Sequence, residues 1–173
     1  MTIHIPPMPE AFLDRVRNRG LDDLGQAVVR RVAQGGEPCR DVLRRARPGE
    51  ELILASFSPF TASGPYHEYG PVFVLAQPAS EEPARDLLPL EPLSQGWPEG
   101  YLRDRFVLRA YSTAEEILDA AMVTPAEADE TVAGFLARPE VAFVHARFPL
   151  FGCFACRIDR YSSSPSAGDE AEA

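Results

Sequence analysis

Short runs of β-branched and aromatic residues, separated by glycine- and proline-rich turns, constrain the fold of this chain most strongly. The clearest runs are ELILASF, PVFVLA, RFVLRAY and VAFVHAR, at residues 51–57, 71–76, 105–111 and 141–147. Such runs, bounded by turn residues, are typical of β-strands. Residues 117–123 are a weaker strand candidate, and residues 153–159 are predicted to form a hairpin with 141–147.

Two helices are predicted from their start and stop signals. The first follows Pro9 and ends at Gly20, and the second begins at a capping box formed by Thr124 and Glu127. Residues 22–36 fit either a helix or a strand. The order of these elements predicts an α+β fold, with a mostly antiparallel sheet of about five or six strands and two or three helices.

The length of 173 residues predicts a single domain. We expect residues 1–161 to form this globular domain and residues 162–173 to be a disordered acidic tail, because the tail is polar and poor in apolar residues. Residues 77–104 are rich in proline and glutamate and are expected to form a long irregular excursion.

The charge pattern argues against several classes of function. The net charge is −9, so binding to nucleic acid is not expected, although residues 40–47 could form a local basic patch. All 17 basic residues are arginine, which excludes a lysine base, a Schiff-base lysine and a P-loop lysine. Arginine can bind carboxylate or phosphate groups but does not readily act as a base.

Neither a signal peptide nor an apolar stretch long enough to span a membrane is evident in the sequence. We therefore expect a cytoplasmic protein without membrane contact. Three cysteines in a reducing compartment argue against a disulfide framework. No standard metal-ligand spacing and no cofactor fingerprint is present, so no metal or cofactor is expected, and the oligomeric state stays open.

The segment GCFACRIDR, at residues 152–160, carries two cysteines spaced as in redox motifs. Because side chains alternate along a strand, Cys153 and Cys156 are predicted to point to opposite faces of the sheet. Phe154 would share the apolar face of Cys156. A disulfide or a shared metal is then difficult to form, and Cys156 is expected to be a core thiol.

Six segments, taken in order, carry a resemblance to a known family. They are PCR (38–40), PGEELIL (48–54), GPY (64–66), RAY (109–111), VAFVHAR (141–147) and GCFACRIDR (152–160). Over residues 22–160 the chain resembles an uncharacterised bacterial family, catalogued as domain of unknown function 1203. The resemblance implies that His145 and Cys153 belong to the family pattern, and it implies no established activity. Arg147 stands where the family often has a second histidine, which argues against a two-histidine metal site.

Polar and apolar side chains alternate in the strands that contain Arg109 and His145. If these strands are neighbours, one face of the sheet would carry Arg109, Tyr111, His145, Arg147, Cys153 and Arg157. Three arginines on one face need carboxylate partners or an anionic ligand. The face is therefore predicted to be either a binding cleft or an ordinary sheet surface with pairs such as Arg157–Asp159.

The loop GPYHEYGP, at residues 64–71, presents Tyr66, His67 and Glu68 between two Gly-Pro steps. These side chains are candidates for ligand binding, and His67 and Glu68 also for acid–base chemistry. The alternative is a hairpin connection that merely carries polar residues.

In the segment PCRD, Cys39 lies beside Arg40. Nearby positive charge makes a thiol more reactive, and Arg40 could also contact an anionic ligand. A dyad of Cys39 or Cys153 with His145 would combine a nucleophile with its base. The alternative is a turn with a small buried thiol.

Three functions fit these observations. The favoured one is binding of a small anionic molecule in an Arg/Tyr/His-lined cleft on one sheet face. The second is a Cys/His-dependent enzyme that acts on an acyl group or a similar electrophile. The third is a structural or protein-interaction domain without a catalytic site.

Overall fold

A computed structural model describes residues 3–80, 83, 85–87 and 100–161 of the chain. It confirms the predicted α+β class and the mainly antiparallel pairing. The strands form two sheets instead of one, and two-residue strands that sequence patterns do not detect extend each sheet. The expected tail at 162–173, and residues 88–99 of the expected irregular excursion, lie outside the described residues.

The larger sheet has six strands and is antiparallel throughout. With strands numbered in chain order, its spatial order is β7 (Asp86–Leu87), β1 (Ile3–His4), β11 (Phe154–Arg160), β10 (Phe143–Arg147), β8 (Phe106–Tyr111) and β9 (Ile117–Val123). The predicted hairpin is therefore present as β10 and β11 at the centre of this sheet.

The smaller sheet has five strands and one parallel pair, between β3 and β6. Its spatial order is β2 (Val29–Val32), β5 (Glu51–Phe57), β6 (Gly70–Leu75), β3 (Pro38–Cys39) and β4 (Arg44–Arg45). The segment that fitted either a helix or a strand thus contributes a strand, β2. β2 lies at the sheet edge, and all four of its side chains are exposed.

Both predicted helices are present. Helix α1 (Glu10–Asp14) continues as a π-helical turn (Arg15–Arg19) and ends at Gly20, whose φ of 67° is a left-handed conformation that glycine adopts without strain. Helix α2 (Pro125–Ala137) has Thr124 as its N-cap, and the predicted capping box of Thr124 with Glu127 is formed.

The larger sheet is covered on both faces. Helix α2 packs on one face through four buried side chains, Ala128, Val132, Phe135 and Leu136, which join the main core with residues of β8, β10 and β11. Burial of each of the three larger side chains, Val132, Phe135 and Leu136, stabilises the fold by about 1.5–3 kcal/mol. The opposite face meets the smaller sheet, since Phe154 of β11 packs with Phe57 and with Phe12 of α1 in a second cluster.

Among the described residues, no helix is long and apolar enough to cross a membrane.

Candidate functional site

His145 lies at the centre of the larger sheet and is fully buried. Four aromatic rings surround its imidazole, with centroid distances of 4.8 to 5.2 Å: Phe60, Tyr111, Phe143 and Phe154. Neither ring nitrogen has a hydrogen-bond partner among the described residues. Burial, reinforced by Arg157 and Arg109, lowers the pKa of His145 to about 3, so the imidazole is neutral at physiological pH.

The predicted dyads of His145 with a cysteine are not formed. His145 makes no hydrogen bond to any described residue, and so none to Cys153 or Cys39. Cys39 is buried in a separate cluster of the smaller sheet, where its thiol donates weakly to the Glu37 carbonyl. Burial, followed by repulsion from Asp41, raises the pKa of Cys39 to about 12. The thiol of Cys39 is thus protonated and enclosed.

The three arginines predicted to form a cleft share one face of the larger sheet, as the strand register requires. His145 pairs with Arg109 of β8 and with Arg157 of β11, and Arg147 follows on the same face of β10. Arg157 lines one of the cavities described here, whereas Arg109 and Arg147 line none of them.

Each of these arginines has its own partner. The Nε of Arg157 donates to Asp159 at 2.9 Å, as the alternative interpretation of this face expected, and the Arg157 guanidinium lies 3.9 Å from the Phe143 ring centroid. Arg147 forms an ion pair with Glu68 of the loop at 64–71. Burial raises the pKa of Tyr111, and the neighbouring Arg109 side chain opposes that shift.

A bulge changes the predicted alternation along β11. Ala146 pairs with Cys156 and Arg147 pairs with Phe154, so Ala155 is the extra residue of the bulge. The bulge places Phe154 against His145 instead of beside Cys156, which corrects the predicted shared face. Cys153 packs against the same main core that contains Cys156, so the two cysteines do not point to opposite sides.

All three cysteines are free, and they differ in their surroundings. Cys156 is buried in the main core as predicted, and burial raises the pKa of its thiol to about 12. Cys153 is only partly buried and lines a cavity of about 390 Å³. Cys156 also lines a cavity but is only 3% exposed, so Cys153 is the most accessible of the three thiols.

Three arginines line this cavity with Cys153: Arg40, Arg45 and Arg103. We call it the arginine cavity. It lies between the loop at 34–38, the start of β11 and the exposed residue Phe151 of the β10–β11 hairpin. Arg40 is predicted from the sequence as a ligand-binding residue, and the structure places it here with Cys153, 113 residues away along the chain.

Arg40 is only 3% exposed, and its guanidinium connects two walls of the cavity. Its Nε donates to the Phe154 carbonyl at 2.9 Å, and one Nη donates to the Pro38 carbonyl at 2.6 Å. The other Nη donates to the Cys153 sulfur at 3.2 Å. Arg40 therefore ties β3 of the smaller sheet to β11 of the larger one and directs a positive charge at the thiol.

Arg45 makes a similar set of contacts with backbone oxygens. Its Nη atoms donate to the carbonyls of Gly36 and Tyr101, each at 2.8 Å. Burial, together with repulsion from Arg103, lowers the pKa of Arg45 to about 10. The cavity therefore concentrates positive charge that neutral carbonyl groups do not balance.

One acidic side chain, Glu37, also lines the arginine cavity. Its carboxylate accepts hydrogen bonds from the backbone N–H groups of Gln34 and Gly35, at 2.9 and 3.0 Å. No hydrogen bond joins this carboxylate to Arg40 or Arg45. Among the described residues, no carboxylate accepts a hydrogen bond from either arginine.

Of the segment at 64–71, only Pro71, which belongs to β6, lines the arginine cavity. His67 of this segment contacts the Ser58 hydroxyl, whereas Tyr66 is exposed. Neither residue lines the arginine cavity.

Within the described part of the chain, no group of three or more His, Cys, Asp or Glu side chains could hold a metal ion.

Comparisons with known proteins give one match. The model of the family described as "Protein of unknown function (DUF1203)" matches residues 36–160. No curated protein matches the chain. No solved structure matches it either.

Sequence reasoning missed Arg103 and Ser58, and it placed Arg45 only in a basic patch. Arg103 and Ser58 stand in segments without a recognisable motif, so no local signal marks them. The surroundings of Arg45 and Ser58 form only in the folded chain: Arg45 donates to the Tyr101 carbonyl, and Ser58 contacts His67 across a loop.

Proposed function

The chain belongs to the DUF1203 family, and because that description assigns no activity, we propose from the site itself that the protein binds a small anionic molecule in the arginine cavity. The observation that carries the proposal is the unbalanced charge of Arg40 and Arg45, whose hydrogen bonds go to backbone carbonyls and a thiol. An anion that enters would supply the missing negative charge.

The size and shape of the cavity support the same proposal. A volume of about 390 Å³ falls in the range of small-molecule sites. Besides the arginines, the lining includes the apolar side chains of Leu54, Phe73 and Phe151. Such a lining suits a small carboxylate or phosphate with an apolar portion, because the anion can meet the guanidinium groups while the rest contacts the apolar side.

Calorimetric titration with inorganic phosphate and with benzoate tests this proposal. Arg45→Gln is the informative variant, because Arg45 is half-buried and Arg40 also joins the two sheets. Loss of one charged hydrogen-bond donor costs about 1.5–3 kcal/mol, so the dissociation constant should rise about 10- to 100-fold. Arg31→Gln on the exposed edge strand β2 is the matched control and should bind as the wild type does.

Two results of this titration would contradict the proposal. One is a wild-type protein that binds neither phosphate nor benzoate. The other is equal binding by Arg45→Gln and Arg31→Gln, which would assign any anion affinity to the general surface charge.

A second candidate function is supported by the contact between Arg40 and Cys153. A guanidinium nitrogen of Arg40 lies 3.2 Å from the sulfur of Cys153, which is the partly exposed cysteine. Cysteine attacks electrophiles as the thiolate, and a guanidinium is a charge partner for that form. We propose, as the alternative, that the Cys153 sulfur bonds to the carbonyl carbon of an acyl thioester while the bond to the thioester sulfur breaks and the small thiol leaves, with Arg40 as the charge partner in place of His145. Mass spectrometry after incubation with an acetyl thioester should then find an acetyl group on Cys153, and no adduct on Cys153 would exclude this alternative.

A further inference from the structure

Ser58 and His67 form a second group of reactive side chains, away from the arginine cavity. The Ser58 hydroxyl oxygen lies 3.2 Å from Nε2 of His67, and Nδ1 of His67 lies 2.9 Å from the Ala62 carbonyl oxygen. A carbonyl oxygen can only accept a hydrogen bond, so Nδ1 carries the proton in the neutral ring. Nε2 is then an acceptor that faces the serine hydroxyl at 3.2 Å. The hydroxyl oxygen also lies 3.3 Å from the Phe60 carbonyl oxygen and accepts a hydrogen bond from the Phe60 N–H at 3.3 Å.

This arrangement contains the parts of a serine nucleophile with its base. The hydroxyl is the nucleophile, Nε2 of the imidazole is the base, and the Ala62 carbonyl fixes the tautomer as a third group. In the Ser-His-Asp arrangement a carboxylate fills that third position, and a backbone carbonyl here makes the same hydrogen bond without a charge.

Neighbouring contacts hold the pair in place. The buried Glu115 carboxylate accepts hydrogen bonds from the backbone N–H groups of Thr61 and Ala62, at 3.0 and 2.8 Å. The Ser58 backbone N–H donates to Asp23 at 2.9 Å. Both the serine and the residue that orients the histidine are therefore anchored to other parts of the fold, as a catalytic geometry requires.

Ser58 lines a cavity of about 330 Å³ that is separate from the arginine cavity apart from the shared residue Arg40. Much of its lining is apolar and includes Met8, Leu43, Phe57, Phe60 and Phe154. Arg40 and Arg157 also line it, and so does Asp159, which accepts a hydrogen bond from Arg157. Among the described residues no carboxylate accepts a hydrogen bond from Arg40, so a negative charge formed near Ser58 would be stabilised mainly by Arg40. The lining suits an ester with an apolar acyl chain.

We infer that Ser58 and His67 form a hydrolytic site for apolar carboxylic esters. The Ser58 oxygen bonds to the carbonyl carbon of the ester while His67 Nε2 takes the hydroxyl proton. The bond from that carbon to the alcohol oxygen then breaks, and His67 returns the proton to the departing alcohol. Water attacks the acyl-serine in the same way, its proton passing through His67 to Ser58 as the acid leaves.

Labelling with an alkyl fluorophosphonate tests this inference, because the serine oxygen displaces fluoride from phosphorus and keeps the probe. Peptide mapping of the labelled wild-type protein should place the adduct on Ser58. The labelling is repeated in a Cys153→Ser background, which removes the thiol that lines the arginine cavity and should leave the adduct on Ser58. This second result is independent of the proposed anion site.

Hydrolysis of p-nitrophenyl butyrate provides the second readout. Ser58→Ala should lower the rate to that of buffer, and His67→Gln should lower it by at least about 100-fold, as expected for the loss of a general base. Ser63→Ala, an exposed serine on the same loop, is the matched control and should keep the wild-type rate. Thermal melting of each variant shows whether it is folded.

The inference is overturned if the folded wild-type protein is not labelled on Ser58, whatever the variants do. A His67→Gln variant that melts earlier but keeps the labelling and the hydrolysis rate would also overturn it. The pair would then serve only to fasten the loop at 58–67.

Discussion

Acid should destabilise this protein through His145, and replacing this histidine by phenylalanine should remove that sensitivity. The folded protein holds the imidazole neutral among four aromatic rings, with no hydrogen-bond partner among the described residues for either nitrogen. The unfolded chain exposes it to water, where it takes up a proton. A phenylalanine ring has a similar shape and no nitrogen to satisfy, so His145→Phe suits the aromatic surroundings.

The size of the effect follows from the two pKa values. Burial lowers the pKa of His145 from 6.5 to about 3 in the folded protein. The histidine is then neutral in both states well above pH 6.5, and below that value only the unfolded chain is protonated. Stability is therefore lost as the pH falls, by about 2 kcal/mol between about pH 7 and about pH 5.

Urea unfolding at several pH values measures this loss. The wild type and His145→Phe share every carboxylate and both other histidines, so their difference isolates His145. When the pH falls from about 7 to about 5, we expect the free energy of unfolding of His145→Phe to decrease by about 2 kcal/mol less than that of the wild type. Parallel pH profiles for the two proteins would refute the reasoning. His145→Leu repeats the measurement with an aliphatic side chain.

The remaining predictions concern the thiols, the cap of helix α2 and the loop carboxylate. Iodoacetamide should modify Cys153 in the native protein, whereas Cys39 and Cys156, both buried, should react only after unfolding; equal native rates, measured by peptide mapping, would contradict this. Thr124→Ala removes the capping box and should lower the free energy of unfolding by about 1 kcal/mol, with Thr113→Ala as an exposed control. Glu115→Gln gives the backbone N–H groups of Thr61 and Ala62 a weaker acceptor and should lower the free energy of unfolding in urea by about 1–3 kcal/mol; an unchanged midpoint would show that these N–H groups do not need the carboxylate.

Much of the fold could be predicted because its longer elements have strong local patterns. The run at 51–57 has the same bounds as β5, and the capping box fixed the start of α2 at Thr124. Strands of two residues, such as β3 and β7, have no period to detect. Such short strands form only because neighbouring strands offer unpaired backbone groups, which is a property of the folded sheet.

The candidate site was harder to predict, for two physical reasons. One is the bulge at Ala155, which breaks the simple alternation of β11 and moves Phe154 to the other face. The other is sequence distance, since Arg40 and Cys153 meet only when the two sheets pack together. Local patterns identified both residues as candidates but could not show that they share a cavity.

The charge of the arginine cavity can be measured most directly through the thiol that lines it. Cys153 should be alkylated at low ionic strength by iodoacetate, an anion, and by iodoacetamide, its neutral counterpart. We predict that the ratio of the two rates exceeds the ratio for N-acetylcysteine, because Arg40 and Arg45 attract the anion. The excess should fall in Arg45→Gln and when phosphate is added. A ratio at or below that of the free thiol would contradict the account of this cavity as an anion site.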